Sequence, residues 1–183
     1  MDAIEALLTR RASPRLSEPA PNAEECQLIY KAALRAPDHA MLRPWKFLCI
    51  SGEDRNRLGE LFVEALQPTS EEQKQKLLAA PLRAPMIIVA VASINPHPKV
   101  PAVEQICSTA AAVQNMSLAA HALGYASIWR TGQAAFDAAV KKGLGIKASD
   151  EIVGLLYLGT ATVQDRPVPE LDPADFFENW PPA

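Results

Sequence analysis

The sequence predicts a mixed fold of class α+β or α/β, in which helices cover both faces of a sheet to give three layers. Helical and strand patterns are mixed along all 183 residues. The segment Met86 to Ser93 (MIIVAVAS) is continuously apolar, as expected for a strand buried on both faces. Neither an internal repeat nor a long linker divides the chain, so we expect one domain over residues 1–183.

Helix starts in the first half of the chain are marked by capping signals, in which a polar residue is followed three positions later by Glu or Gln. Asp2, Asn22 and Ser70 each begin such a pattern. The predicted elements are a helix ending near Arg10, a helix from 22 that ends before Pro37, a loop over 36–44, a strand over 45–50, and helices over 53–66 and 70–79.

The second half predicts three strands around one long helix. The strand at 86–93 is followed by a proline-rich loop at 94–101 and an Ala-rich helix over 102–123, which Gly124 ends. Five polar side chains in this helix argue against a membrane span. A strand over 125–130, a short helix over 134–142, a strand over 151–158 and an extended proline-rich tail from about 165 complete the chain.

Composition and short motifs exclude several classes of protein. The net charge of −3 gives no basic surface for nucleic acid or anionic membrane. The N-terminus MDAIEALLTRR is not a signal peptide, so we expect a cytoplasmic protein. Three widely spaced cysteines predict buried free thiols rather than disulfides. The three histidines lack metal-ligand spacing, and we expect no metal. Gly143 to Ala148 matches G-x-G-x-x-A but follows a helix, which favours a helix end and turn over a dinucleotide site.

Three motifs remain as candidates for a ligand site. Arg10-Arg11 follows the first helix, where the two guanidiniums either favour the helix dipole or bind a phosphate. The second motif, R-A-P-D-H over 35–39, ends the second helix and is followed by Arg43-Pro44-Trp45. The third, W-R-T-G over 129–132, lies at a strand end, where ligands commonly meet a sheet.

The order and spacing of these motifs resemble the nitroreductase family, most closely its compact bacterial branch of NAD(P)H nitroreductases. The resemblance runs from Asp2 to about Thr160 and also includes RAPMIIVAV, the Ala-rich helix ending at Gly124, and IVGLLYLGT. It implies an α+β fold, a three-layer α/β/α sandwich with a mostly antiparallel central sheet, in an intertwined homodimer. The dimer would hold FMN at two sites in the subunit interface.

The resemblance also implies roles for individual residues. Arg10, Arg11 and Ala12 would lie against the FMN phosphate and ribityl chain. The other subunit would contribute Arg35 and His39, and the first would complete its side of the site with Trp129, Arg130 and Thr131. The chain departs from many relatives at three positions: Ala12 replaces a serine, Pro14 replaces a basic residue, and Arg43 replaces a glutamine.

The activity implied is that of an oxidoreductase in which the cofactor carries the chemistry. NADH or NADPH would give hydride to flavin N5, leave, and be replaced by a nitro compound, quinone or similar acceptor, which is ping-pong exchange through one pocket. No side chain is required as a nucleophile or catalytic acid. Two alternatives stay open: a flavin-binding or flavin-delivery protein without reductase activity, and a dimeric interaction module without flavin.

Overall fold

The computed structural model describes residues 1–162 and 167–180. Short 3-10 turns lie at His39–Met41, Pro81–Arg83 and Pro173–Asp175. The α-helices of this part of the chain are α1 (Ala3–Thr9), α2 (Ala23–Ala33), α3 (Asp54–Leu66), α4 (Glu71–Ala79), α5 (Ala102–Ala122), α6 (Gly132–Phe136) and α7 (Ala138–Gly143). The strands are β1 (Leu16–Ser17), β2 (Trp45–Ser51), β3 (Met86–Ala92), β4 (Ala126–Arg130) and β5 (Glu151–Ala161).

The sheet is built around β5. This strand pairs with β1, β3 and β4, and β2 pairs with β3 at the end of the order β1-β5-β3-β2. Every pairing between these named strands is antiparallel. An isolated parallel bridge joins Ala12 to Ser127 of β4. The prediction of a mostly antiparallel central sheet is therefore confirmed, and the class is α+β.

Two apolar clusters lie on opposite faces of the sheet. Side chains of α3 and α7 pack on one face against Ile87, Val89 and Leu155. Side chains of α2 and α5 pack on the other face against Ile88 and Leu156. All seven residues of β3 are buried, because successive side chains of a strand point to opposite faces and both faces are covered. The three layers and the doubly buried strand are as predicted.

The predicted capping signals form in the structure. The Asn22 side chain accepts hydrogen bonds from the Glu24 and Glu25 amides at 2.9 and 3.0 Å, and the Glu25 carboxylate accepts the Asn22 amide at 2.8 Å. The Asp2 and Ser70 side chains accept amides three residues further on. These bonds satisfy amides that have no partner within the helix, and so define where each helix begins.

Several local predictions differ from the structure. The helix expected over 134–142 is two helices, α6 and α7, because Asp137 is extended and its carboxylate caps the second. Strand β5 continues to Ala161, three residues beyond the prediction, and pairs there with the unpredicted β1. The motif beginning at Gly143 is a helix end and turn, as interpreted, with Gly145 at a φ of +68°.

The prediction that the cysteines are buried is wrong for two of the three. Cys26 is buried, whereas Cys49 and Cys107 are exposed. Cys49 lies on β2, the last strand of the sheet, which the helices cover incompletely. Cys107 lies on α5 beside a surface cavity. All three thiols are free.

The C-terminal tail runs over the surface where it is described. Residues 167–180 are exposed and contain the turn at Pro173–Asp175. The predicted tail from about 165 also includes residues up to 166 and 181–183, which lie outside the described residues. No helix in the described ranges has the length and apolar character needed to cross a lipid bilayer.

The capping box at Asn22 predicts a measurable stability change. Asn22→Ala should lower the free energy of unfolding by about 1 kcal/mol, because the first turn of α2 loses its side-chain acceptor. Urea denaturation measures the change, and Glu60→Ala on the exposed face of α3 provides the control. Equal stability of the Asn22 and Glu60 variants would show that the box contributes nothing.

Candidate functional site

The loop after α1 borders a cavity of about 350 Å³. Arg10 caps α1, with its amide donating to the Ala6 carbonyl at 3.1 Å. Three residues later the Ser13 amide donates to the Ser127 carbonyl of β4 at 3.0 Å. The loop is thus held between the end of α1 and the start of β4. Arg10 and Arg11 line the cavity together with Ser127 and the segment that joins α5 to β4.

The other end of β4 carries the second group of predicted residues. Trp129 keeps 40% of its surface exposed, and its indole Nε1 donates to the Val153 carbonyl at 3.2 Å. Gly154 permits this position, because a Cβ atom there would collide with the indole Nε1. A residue without a side chain inside β5 therefore allows the large indole to lie over the strand and remain accessible.

Arg130 points to the opposite face of the sheet from Trp129, as expected for neighbouring residues of a strand. Its guanidinium carbon lies 5.6 Å from the centre of the Tyr157 ring, close enough for a cation–π contact. Its Nε is buried and has no hydrogen-bond partner among the described residues. Arg130 and Thr131 line a cavity of about 400 Å³ whose apolar wall includes Phe62 and Leu155.

A third cavity, of about 520 Å³, joins both segments and brings in two arginines that the sequence analysis did not select. Pro14 and Arg15 line it from the loop after α1, Arg130 from β4, and Arg83 from the turn before β3. Burial raises the pKa of the Tyr157 hydroxyl, and the positive charges of Arg130 and Arg83 partly oppose that rise. Arg83 begins the RAPMIIVAV motif, so the sequence contained a signal for it.

Arg35 and His39 lie elsewhere within the chain. Arg35 borders a cavity of about 420 Å³ formed by α1, α2 and α5. His39 Nδ1 lies 2.8 Å from the Glu104 carboxylate, beside a separate cavity of about 410 Å³ that also includes Cys107. Neither cavity includes Arg10 or Arg130. Within one chain, Arg10 and Arg11 line one cavity and Arg130 and Thr131 line another. Arg35 and His39 line neither of these two cavities.

The loop that carries His39 is held by the carboxylate of Asp38. Its two oxygens accept the Leu42 amide at 3.1 Å and the Arg43 amide at 2.8 Å. Arg43 has a φ of +49°, an uncommon conformation for a residue with a side chain, and these bonds offset its cost. The position of His39 is thus defined by backbone contacts that R-A-P-D-H supplies.

A sequence profile described as the Nitroreductase family matches residues 8–160, which is most of the chain. The chain belongs to the nitroreductase family. Putative NAD(P)H nitroreductase YdjA of Escherichia coli (strain K12) is 43% identical over 162 residues, covering 87% of this chain and 88% of that protein. The resemblance inferred from the motifs is confirmed.

Solved structures agree with this family assignment at the level of the fold. The crystal structure of a nitroreductase-like family protein from Bacillus cereus has a TM-score of 0.86 at 22% identity, covering 99% of this chain and 97% of that one. A nitroreductase with bound FMN from Bacteroides fragilis has a TM-score of 0.67 at 21% identity, covering 92% and 95%. The α/β/α arrangement of this chain is therefore shared with them.

The packing of Trp129 on Gly154 predicts a linked effect. Gly154→Ala should displace the indole and lower the free energy of unfolding by about 1–3 kcal/mol, the usual cost of overpacking. Urea denaturation measures the loss, and the emission of Trp129 should change with it. In a Trp129→Phe background the same substitution should cost less, since the smaller ring can give way. An equal cost in both backgrounds would contradict this packing account.

Proposed function

We propose that this nitroreductase binds FMN and uses it to transfer electrons from NADH or NADPH to nitro compounds, quinones or similar acceptors. The observation that carries the proposal is the arrangement along β4. Arg10 and Arg11 border its first residues, and an exposed indole and an apolar cavity lie at its end. The residues 126 and 131 are roughly 16 Å apart at about 3.3 Å per residue. A phosphate joined to a tricyclic ring by a five-carbon chain can span such a distance.

The residues at each end match the two chemically different ends of FMN. Adjacent guanidiniums suit a phosphate, because arginine can donate two parallel hydrogen bonds to phosphate oxygens. At the other end the exposed Trp129 ring offers an apolar face to a flat ring system, and Phe62 and Leu155 form an apolar wall in the cavity on the opposite face of the sheet. The buried Arg130 Nε is a donor that has no partner in the described protein and can serve a polar ligand.

The comparisons support the same cofactor. The Bacteroides fragilis structure is described as a nitroreductase with bound FMN, and a Clostridium difficile R20291 structure as an FMN-dependent nitroreductase. The Escherichia coli relative carries NAD(P)H in its name. We extend these features to the present chain as part of the proposal.

FMN supplies the redox chemistry when bound, since it can take a hydride from a reduced nicotinamide and later reduce a second substrate. The chain's own residues bind and orient. Arg10, Arg11 and the Ala12 backbone hold the phosphate and ribityl chain, and Trp129 to Thr131 hold the ring. No side chain is assigned as an acid or nucleophile. The nicotinamide and the acceptor occupy the same space in turn, which gives ping-pong kinetics.

We further propose that the site is shared between two copies of the chain. Arg35 and His39 line cavities on the side of the molecule formed by α1, α2 and α5, and neither cavity includes Arg10 or Arg130. That side exposes large apolar side chains, among them Leu7 and Leu8 of α1 and Leu34 beside Arg35. Such a surface is typical of an interface. In a homodimer formed through it, Arg35 and His39 of one subunit reach the FMN of the other.

The spectrum of the purified protein tests the central proposal. We expect a yellow protein with bound FMN, whose visible absorbance bleaches when NADH or NADPH is added anaerobically and returns when a quinone or nitroaromatic is supplied. Flavin binding without bleaching by either nicotinamide would instead indicate a flavin-binding or flavin-delivery protein. A colourless protein that cannot be reconstituted with FMN would contradict the proposal.

The phosphate assignment predicts the effect of one substitution. Arg10→Ala should weaken FMN binding by about 2 kcal/mol, the loss of one charge-assisted contact. Fluorescence titration of the apoprotein measures the affinity. Arg57→Ala, on the exposed surface of α3, is the matched control. Unchanged affinity after Arg10→Ala would place the phosphate elsewhere.

If the site is shared between subunits, Arg35→Ala should also weaken FMN binding in the same fluorescence titration. When the Arg10→Ala and Arg35→Ala chains are mixed, each mixed dimer should contain one site with both arginines intact. Recovery of about half the sites in verified mixed dimers is the expected result. No recovery would argue that both arginines serve the site of their own chain.

A further inference from the structure

We propose that Glu104 is a positioning residue for His39: its carboxylate holds the imidazole Nδ1 and so leaves Nε2 as the nitrogen that meets FMN. The inference rests on the proposed function, in which His39 of one subunit reaches the FMN of the other. The observation that carries it is the distance of 2.8 Å between His39 Nδ1 and the Glu104 carboxylate. Glu104 belongs to none of the three candidate motifs, and the fold brings it to the R-A-P-D-H loop from 65 residues away.

The carboxylate decides which ring nitrogen of His39 carries a proton. A carboxylate accepts hydrogen bonds and donates none, so Nδ1 is the donor in this contact. When the imidazole is neutral, Nε2 is then an acceptor, and when it is charged, Nε2 is a second donor. The hydrogen bond at one ring nitrogen thus sets the chemical character of the other. The His39 side chain is 57% exposed, which leaves the ring accessible to a ligand.

Glu104 itself is held in place at the start of α5. Its amide donates to the Pro101 carbonyl at 3.1 Å. The neighbouring side chain, Gln105, is buried, donates to the Asn95 carbonyl at 2.8 Å and accepts the Asn95 amide at 2.9 Å. These bonds fasten the first turn of α5 to the loop before it. The Glu104 carboxylate therefore extends from a fixed backbone, as a residue that orients another side chain requires.

The same helix holds the far end of the loop that carries His39. The Thr109 hydroxyl donates to the Pro44 carbonyl at 2.8 Å. Between these two attachments Ala40 and Met41 have φ angles of +62° and +53°. Positive φ is costly for residues with a side chain, and such costs are concentrated at functional sites. A loop that retains this strain between two attachments to α5 is suited to presenting a side chain in one orientation.

Stability alone does not account for the pair. The side chains of His39 and Glu104 are 57% and 47% exposed, and exposed ion pairs contribute little to the free energy of unfolding. The adjacent cavity of about 410 Å³ includes Val103 and Ala111 in its apolar wall. In the proposed homodimer this surface is covered, and exclusion of water strengthens the contact between imidazole and carboxylate. The pair therefore contributes most when the partner subunit and FMN are present.

Substitution of Glu104 tests whether it supports FMN binding. Glu104→Ala should weaken FMN binding about fivefold, the effect of one lost hydrogen bond. Glu104→Gln should retain most of the affinity, because its amide oxygen can still accept the Nδ1 proton. Fluorescence titration measures both, and Glu72→Ala, which removes an exposed glutamate paired with Lys76 on α4, should leave the affinity unchanged. Unchanged or tighter FMN binding by Glu104→Ala would overturn the inference.

A double-mutant cycle separates positioning from direct contact. In a His39→Ala background, Glu104→Ala should cause no further loss of FMN affinity, because its effect passes through the imidazole. A further fivefold loss in that background would show that Glu104 acts on FMN or on the partner subunit independently, and would overturn the inference. Urea denaturation should give all of these variants the wild-type free energy of unfolding, since the pair is exposed.

Nuclear magnetic resonance of ¹⁵N-labelled histidine observes the ring directly and does not depend on flavin. At alkaline pH, where imidazole is neutral, His39 of the wild type should carry its proton on Nδ1. Glu104→Ala should move the proton to Nε2, and Glu104→Gln should restore part of the Nδ1 signal. The chain has three histidines, and His39→Ala identifies the signals of this one. A proton on Nε2 in the wild type would overturn the inference.

The wild-type protein separates this inference from the proposed function. A wild type that binds FMN and bleaches with NADH or NADPH, together with a Glu104→Ala variant that behaves like Glu72→Ala, would overturn only the role of Glu104. A wild type that binds no FMN would overturn both, whichever nitrogen of His39 carries the proton.

Discussion

The antiparallel pairing of β5 with three other strands is the constraint on which the candidate site depends. Pairing with β4 sets Trp129 opposite Leu156 and Arg130 opposite Leu155. Pairing with β1 at Thr160 and Ala161 holds the loop that carries Arg10 near the start of β4, whose first residue pairs with Gly159. Pairing with β3 buries the centre of β5 and places the turn of Arg83 beside Tyr157. Three distant parts of the sequence meet because one buried strand binds all of them.

This geometry separates two kinds of contact with a ligand. The start of β4 lies beside two consecutive arginines, and its end carries an accessible ring on one face and a guanidinium on the other. The chain as a whole has a net charge of −3, yet arginines concentrate around these cavities. A locally positive field within an acidic protein favours anionic ligands there without attracting nucleic acid generally.

Much of the fold could be predicted because local signals agreed with the packing. The Asn22 and Glu25 pair marked the start of α2, and the apolar run from Met86 marked a strand that is buried on both faces. The break at Asp137 was missed because the helical pattern continues through it, while its carboxylate caps the next helix. Strand β1 was missed because its two residues are held by pairing with Thr160 and Ala161, a contact that no local pattern encodes.

The candidate site was predicted less completely than the fold, for a related reason. Arg10 and Arg130 belong to compact motifs, whereas Arg15 and Arg83 gain significance only when distant turns meet at one cavity.

Strand β4 also has a consequence for how this protein can vary. Its side chains alternate between an accessible indole and an inward guanidinium, and both depend on the pairing with β5. Substitutions in β4 can be absorbed one position at a time. Insertion or deletion of a single residue in β4 cannot be absorbed in this way, because every following side chain of the strand would point to the opposite face of the sheet. The length of the segment between Gly124 and Gly132 is therefore constrained more strictly than its composition.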